Sequence, residues 1–394
     1  MTLRVAMIGY GFMGAAHSVG WRQAPRVFAL PDEVEMAVIV GRNAEAVGDA
    51  ATRWGWQESA TDWREVIARD DIDIVDIVTP GDSHAEIAIA ALEAGKHVLC
   101  EKPLANTVAE AEAMAQAASR AATCGVRSMV GFTYRRVPAV TLLRDLIAQG
   151  AVGRIAQVRA AYRQDWLVDP EMPLAWRLQK EHAGSGALGD IGAHIIDMTQ
   201  FVTGLEVAAV SGVVDTIVKE RPLQGSGSGL SGTAAAGYGE VTVDDVAIFT
   251  GRLSTGALVS FEASRFATGR KNDLSIEVSG DRGALRFDLE DLNTLWFYDR
   301  TAPEATQGFA RILVTEPTHP YVAAWWPAGH MLGYEHGFSH QVVDLVTAIV
   351  DGTDPQPSFE AGLSVQRVLA AVEESAARDS AWVRTGADVV LPAL

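Results

Sequence analysis

Leu3-Arg4-Val5-Ala6-Met7-Ile8-Gly9-Tyr10-Gly11-Phe12-Met13-Gly14, continued by Ala15-Ala16-His17, is the stretch that decides the fold. Leu3 to Ile8 is a short apolar run that reads as a strand, and the glycines after it mark a change to helical texture. In that setting G-x-G-x-x-G carries a mechanism. Gly9 permits a tight turn, Gly11 lets the main chain approach a pyrophosphate, and Gly14 lets the helix pack closely on the strand. The phosphates of a dinucleotide would then rest on the helix N-terminus.

Outward from that turn, Met36 to Val40, Ile72 to Thr79, His97 to Cys100 and Ser128 to Phe132 read as further strands. Helical stretches separate them: Asn43 to Trp54, Ser83 to Ala94, and Thr107 to about Thr123. This alternation predicts a doubly wound parallel sheet, hence an α/β Rossmann domain over residues 1–132. The texture changes at Tyr134-Arg135-Arg136-Val137-Pro138. Beyond it Arg154 to Arg163, Ala208 to Val218, Val246 to Leu253, Ala257 to Ala263, Asp273 to Ser279 and Ala284 to Asp288 read as strands, several without intervening helices. They predict an α+β domain over residues 133–394, built on an open, largely antiparallel sheet. Gln224 to Gly239, rich in Gly, Ser and Ala, reads as a flexible loop, and Glu335 to Val350 and Glu360 to Arg378 as closing amphipathic helices.

A chain of 394 residues with 48% hydrophobic and 21% charged residues has the composition of a folded two-domain protein. Its 50 acidic against 32 basic residues, a formal charge of -18, repel phosphate backbones and anionic lipids, so neither nucleic acid nor membrane is expected as a partner. No apolar run approaches membrane-spanning length and the first residues lack a signal-peptide pattern, from which a cytoplasmic protein is expected. Cys100 and Cys124 stand in no metal-binding or redox spacing and are expected as two buried thiols, with no metal site.

Several segments lie just past strand ends, where ligands of doubly wound sheets bind. Val40-Gly41-Arg42-Asn43 offers no acid to ribose hydroxyls; Arg42 could pair with a 2′-phosphate, stack on adenine or stay solvated, so NAD and NADP both remain open. Thr79-Pro80 with His84, and Glu101-Lys102-Pro103, point at the same crevice. A lysine there can donate to a substrate hydroxyl and stabilise a developing alkoxide. Further on, Gly186 to Asp197 reads as the start of a helix with Asp190, His194 and Asp197 on one face. His194 suits general-base work and Asp190 its orientation, and a metal site is poorly supported because no second ligand motif is present. Tyr162, Gln164, Asp165, Trp166 and Trp176 have the aromatic faces and polar groups that bind sugars. No second phosphate-binding loop is visible, which favours a neutral substrate, although Arg135, Arg136, Arg163 and Lys180 could cradle an anionic group.

Taken in order, the glycine motif, Thr79-Pro80 with His84, Glu101-Lys102-Pro103, Tyr134-Arg135-Arg136 and Asp190-x-Gly192-x-His194-x-x-Asp197 resemble the glucose-fructose oxidoreductase and inositol dehydrogenase (Gfo/Idh/MocA) family over essentially the whole chain. Gly11-Phe12-Met13-Gly14, Gln164-Asp165-Trp166, Trp176-Arg177-Leu178-Gln179-Lys180 and Gly184 to Asp190 are similar to its levoglucosan dehydrogenase type. The resemblance implies Lys102, Asp190 and His194 as the catalytic group. Gly9, Gly11, Phe12, Met13, Gly14, Arg42, Thr79, Pro80, His84, Glu101, Lys102, Trp176 and Arg177 would hold the cofactor. Lys102, Tyr134, Arg135, Gln164, Asp165, Trp166, Asp190 and His194 would hold a sugar, anhydrosugar or cyclitol. It also implies a homodimer or homotetramer. The chain departs from that type at Gly41-Arg42, where the type carries an acid. The expected function is hydride transfer from a sugar hydroxyl carbon to nicotinamide. An NAD-dependent glycosidase acting through transient oxidation is the alternative, and a silent dinucleotide-binding regulator a third reading.

Overall fold

The computed structural model describes residues 2–225 and 233–386. By contact it divides into two units, Met1–Val137 with Ala323–Trp326 and Leu332–Leu363, and Pro138–Val322 with Pro327–Met331 and Ser364–Leu394. A single division after residue 132 therefore does not describe it: a segment late in the sequence returns to the first unit.

The first unit runs β1 (Thr2–Ile8), α1 (Phe12–Val27), β2 (Glu33–Val40), α2 (Ala44–Trp54), β3 (Glu58–Ala60), α3 (Trp63–Ile67), β4 (Ile74–Ile77), α4 (His84–Glu93), β5 (His97–Cys100), α5 (Val108–Ala122) and β6 (Ser128–Val130). Its six strands are all parallel, in the order β3-β2-β1-β4-β5-β6. The register lines up their carboxyl ends. Ile8 pairs with Val40 and Ile77, Ile77 with Cys100, and Cys100 with Val130, so the strand ends form one edge. Gly9, Gly41, Val78, Glu101 and Gly131 consequently leave the sheet side by side, at the reversal of strand order where such sheets bind ligands. Local signals cap the helices as expected: Asn43 accepts from Ala46 N–H at the start of α2, and Thr107 with Glu110 forms a capping box on α5. Cys100 is buried as expected, but Cys124 is exposed, because it lies in the polar turn just past α5.

α9 (His336–Asp351) belongs to this unit and packs on α1. Its Val342, Leu345 and Val346 join Met7, Trp21 and Ile39 in one buried cluster. Gly20 makes this close approach possible, since an added Cβ there would come within 2.9 Å of the Phe338 main chain.

The second unit contains α6 (Pro138–Ala148), β7 (Ile155–Arg163), α7 (Lys180–Ala183), α8 (Ala193–Thr203), β8 (Val207–Asp215), β9 (Glu220–Gln224), β10 (Ala234–Glu240), β11 (Val246–Leu253), β12 (Leu258–Ser264), β13 (Asp273–Gly280), β14 (Gly283–Asp288), β15 (Thr294–Asp299), β16 (Phe309–Leu313) and β17 (Val383–Arg384). α10 (Phe359–Ala377) runs from one unit into the other. Nine strands form a sheet in the order β16-β15-β14-β13-β7-β12-β11-β8-β17, antiparallel throughout except for the β7–β12 pair. α8 packs on β7, and the alternating burial of β7 and β11 shows one face turned inward. The expected loop Gln224 to Gly239 is corrected in part. Ala234–Glu240 is a strand paired antiparallel to Glu220–Gln224, held by main-chain hydrogen bonds that need no strand-forming side chains; residues 226–232 lie outside the described residues.

Candidate active site

In the first unit the glycine turn is packed from behind and open in front. Gly9 holds φ +115, and an added Cβ would meet Val78 at 2.9 Å; at Gly14 it would meet the Gly9 carbonyl oxygen at 2.8 Å. Nothing lies within 4 Å of a Cβ at Gly11. Gly11 starts α1 without a side-chain cap, and the first turn carries no acid. This cradle fits a dinucleotide pyrophosphate, whose charge the helix N-terminus favours. Phe12, 66% exposed, stands on its rim, and Met13 is half-buried against the core. At the end of β2 the Tyr10 ring lies against Gly41 so closely that a Cβ there would overlap it. A carboxylate at position 41 is therefore excluded while Tyr10 keeps this place. Arg42 beside it is exposed.

The loops after β4 and β5 are tied together by His84. Its Nδ1 lies 3.0 Å from the Pro103 carbonyl oxygen and its Nε2 2.9 Å from that of Thr79. The ring is 1% exposed, so it acts on the cradle by fixing these two loops. Glu101 is buried and one of its oxygens accepts the Lys102 main-chain N–H at 3.1 Å, while Lys102 itself is half-buried. Tyr134 is buried with its ring 6.3 Å from that of Tyr334, and Arg135 is half-buried. Arg136, expected as one of the arginines able to cradle an anion, is committed elsewhere: its Nε binds Asp344 at 2.9 Å, and it donates to the Gln356 carbonyl.

In the second unit the helix bearing Asp190 and His194 opens differently from the sequence expectation. Leu188–Gly192 forms a π turn before α8 begins at Ala193. The wider turn alters the spacing that an α-helix would impose between Asp190 and the residues of α8. Asp190 and His194 are half-buried, but Asp197 is 2% exposed and belongs to the core. Arg265 holds the turn in place. It is 1% exposed and its Nη2 donates to the Gly186 carbonyl at 2.9 Å and to Asp190 Oδ2 at 3.0 Å. Asp244 accepts the N–H groups of Gly186 and Leu188, both at 2.7 Å, and burial pushes its carboxyl above the usual carboxylate range.

Around this turn stand the expected sugar-binding types. Tyr162 presents its ring 5.7 Å from that of His194, and its hydroxyl donates to Asn272 at 2.7 Å. Gln164 donates to the same Asn272 oxygen at 2.9 Å and accepts from the Trp166 indole at 3.0 Å. Arg265 lies over the Trp166 ring, and Arg177 over Trp176 at 4.4 Å. Burial lowers the Arg177 pKa, as does neighbouring Arg265, while Asp190 opposes the shift. Asp165 faces Lys271, whose ammonium at 2.7 Å holds its carboxyl below the usual range. Sequence reasoning missed Arg265, Asp244, Tyr10 and Asn272. Only Asp244-Asp245, two acids beside a strand, carried a visible signal.

Comparison with known proteins agrees with this geometry. Residues 3–132 match the oxidoreductase family with an NAD-binding Rossmann fold, and residues 140–286 the GFO/IDH/MocA C-terminal domain. The chain is 43% identical over 389 residues to levoglucosan dehydrogenase of Pseudarthrobacter phenanthrenivorans, covering 97% of each. It matches the crystal structure of an oxidoreductase domain protein from Kribbella flavida with 62% identity and a TM-score of 0.93, covering 98% of this chain and 99% of that one. A levoglucosan dehydrogenase in complex with NADH and levoglucosan matches with 41% identity and a TM-score of 0.92, over 98% of this chain and 100% of that one.

Proposed function

Because the chain belongs to the Gfo/Idh/MocA oxidoreductase family, we propose that it is an NAD(P)-dependent dehydrogenase oxidising a ring hydroxyl of an anhydrosugar of the levoglucosan kind, or of a closely related neutral sugar or cyclitol. The observation that carries this reading is the whole-length likeness to a dehydrogenase holding NADH and levoglucosan, with Lys102, Asp190 and His194 all present. Curated relatives that bear on the choice are named dehydrogenases, which leaves the glycosidase alternative unsupported.

A bound nicotinamide would accept the hydride from the sugar carbon. This chain's residues do the rest. Lys102 donates to the substrate hydroxyl and stabilises the developing alkoxide, His194 takes up the hydroxyl proton, and Asp190 orients the hydroxyl or the imidazole. Arg265 donates to the Asp190 carboxylate at 3.0 Å and holds it in place for that task. Trp166, Gln164, Asp165, Tyr134 and Arg135 contact the sugar, and Trp176-Arg177 borders the nicotinamide. Gly9, Gly11, Phe12, Met13, Gly14, Thr79 and Pro80 seat the dinucleotide, with His84 and Glu101 bracing its loops. Both NAD and NADP suit the end of β2, where Gly41 brings no charge to repel a 2′-phosphate. A cytoplasmic homodimer or homotetramer belongs to the same proposal. Among the described residues no helix is long and apolar enough to cross a membrane.

The test is nicotinamide reduction, followed by absorbance, with NAD and NADP separately across levoglucosan, glucose, other pyranoses and inositols. Strong turnover with one of these and its loss in Lys102→Ala, with NADH binding retained, is the expected result. Glycoside cleavage without net reduction would overturn it.

A further inference from the structure

Beneath the loop that carries Lys102 lies a buried cluster that the proposed reaction does not use. His17, on α1, is 2% exposed and both of its ring nitrogens face carboxylates. Nδ1 lies 3.0 and 2.9 Å from the two oxygens of Asp76, and Nε2 lies 3.0 Å from Glu101 Oε1. Asp76 is fully buried in β4 and also accepts the Trp21 indole N–H at 2.7 Å. Glu101 spends its second oxygen on the Lys102 N–H at 3.1 Å. Gly131 closes the back of the pocket, since a Cβ there would approach Glu101 Oε1 to 2.6 Å. All of these groups lie in the first unit.

A neutral imidazole has one N–H, so one of the two carboxylates would then face a ring lone pair. The arrangement is satisfied when both nitrogens carry protons. Burial alone would push the imidazole pKa down, but the Asp76 charge and hydrogen bond, reinforced by Glu101, lift it from 6.5 to about 10. If the cluster served only to satisfy buried Asp76, the bonds from Trp21 and His17 Nδ1 would suffice. The second arm, from Nε2 to Glu101, leads out of the core to Lys102.

We propose that His17 is a positioning residue for Lys102: it locks Glu101 in the orientation whose free oxygen grips the Lys102 main chain, so the lysine leaves from an anchored point. This rests on the reading of Lys102 as acting on the substrate hydroxyl. Without the imidazolium, Asp76 and Glu101 would be two carboxylates in one dry pocket, and their repulsion would push one of them above the ordinary carboxylate range. Cys100 and Tyr334 also feel Glu101, but burial, with that charge, pushes both upward, so neither titrates near neutral pH.

The test compares His17→Gln, Glu101→Gln and Trp21→Phe with the wild type, each normalised to its NADH-binding fraction, after Lys102→Ala has been shown to abolish turnover. In Glu101→Gln a single amide oxygen cannot accept from both His17 and Lys102, so the same link is attacked without stranding a charge. His17→Gln and Glu101→Gln are expected to lower kcat by about 10- to 100-fold, measured on the NADH-bound fraction, with KM for the sugar little changed. His17→Gln should also gain an acid limb in its kcat profile that the wild type lacks. Trp21→Phe should lose stability and keep its kcat, because the Glu101 arm is intact. A kcat within twofold of wild type in either folded Gln variant overturns the proposal. Turnover surviving in Lys102→Ala instead overturns the reading it rests on.

Discussion

Each unit steadies one carboxylate of the proposed site with a buried cation, and the two cations differ in kind. In the first, Glu101 leans on His17, which is charged only because two acids surround it. In the second, Asp190 leans on Arg265, an arginine being a side-chain type that needs no acidic neighbour to carry its charge, and this one forks to the Gly186 carbonyl as well. The arginine therefore holds both a charge and the shape of the π turn, without conditions. The histidine holds its acid only while the proton stays on the ring.

The largest effect that would break this comparison is expected at the unconditional end. Arg265→Gln removes the guanidinium charge and its fork to Asp190 and the Gly186 carbonyl, and should cost about 3 kcal/mol in urea unfolding. That is the low end of the ~3–5 kcal/mol for breaking a buried pair, because Asp190 keeps 30% side-chain exposure. An unchanged urea midpoint would mean that Arg265 does not hold the turn. The conditional cation gives the next effect. With His17 at about 10 when folded and 6.5 when unfolded, the folded state binds the extra proton between those values. Its stabilisation is complete below 6.5 and is lost as pH rises through about 10. Wild type should lose about 2 kcal/mol between about pH 7.5 and pH 9, and His17→Gln should show a flatter alkaline limb. Equal slopes would show that the ring is not charged.

His340 sharpens the contrast within the first unit. It is equally buried, but it accepts the Trp325 indole N–H at Nε2, 2.7 Å away, and its Nδ1 faces the Arg136 carbonyl at 2.9 Å. Burial drives its pKa down to about 3 against the hydrogen bond to the Arg136 carbonyl, and the charges of His336 and Arg136 add to the drop. Stability is then present above 6.5 and lost as pH falls toward 3, since only the unfolded chain takes the proton. Thermal unfolding should show about 1 kcal/mol lost over the first pH unit below 6.5, part of it removed in His340→Gln. His97 and His336, also pushed down by burial, share this limb.

How much of this was legible in the sequence depends on the range of each signal. β5 and β11 coincide with their expected bounds because apolar patterning and flanking breakers are local. β15 carries no such signal, since Thr294-Leu295-Trp296-Phe297-Tyr298-Asp299 lacks the alternation that separates a strand from a buried helix. Among the proposed site residues Lys102, Asp190 and His194 stand out by motif. Their supports do not: Arg265 is 75 residues from Asp190 and Asp76 is 59 from His17, and no local pattern pairs residues at such a distance. A signal existed at Asp76, an acid inside the otherwise apolar Ile74-Val75-Asp76-Ile77. A buried acid needs a partner, but only the fold says which. The π turn was invisible for a similar reason, because the residues of Leu188–Gly192 read equally well as α-helix.

Arg42 is the limiting case, a cation with solvent around it, and there the smallest effect is expected. Unlike His17 and Arg265 it is exposed, so a charge pair with a 2′-phosphate would be screened and worth no more than about 1 kcal/mol, or roughly fivefold in Kd. Arg42→Ala should weaken NADPH binding by about three- to fivefold, leave NADH within about twofold, and lose the difference at high salt. Gly41→Asp should act more strongly against NADPH, because it adds a repelling carboxylate and displaces the Tyr10 ring that lies against that position. Fluorescence titration with both reduced cofactors decides between the two roles of the arginine. If Arg42→Ala weakens NADH and NADPH equally, and salt leaves the loss intact, the guanidinium stacks on adenine and selects neither cofactor.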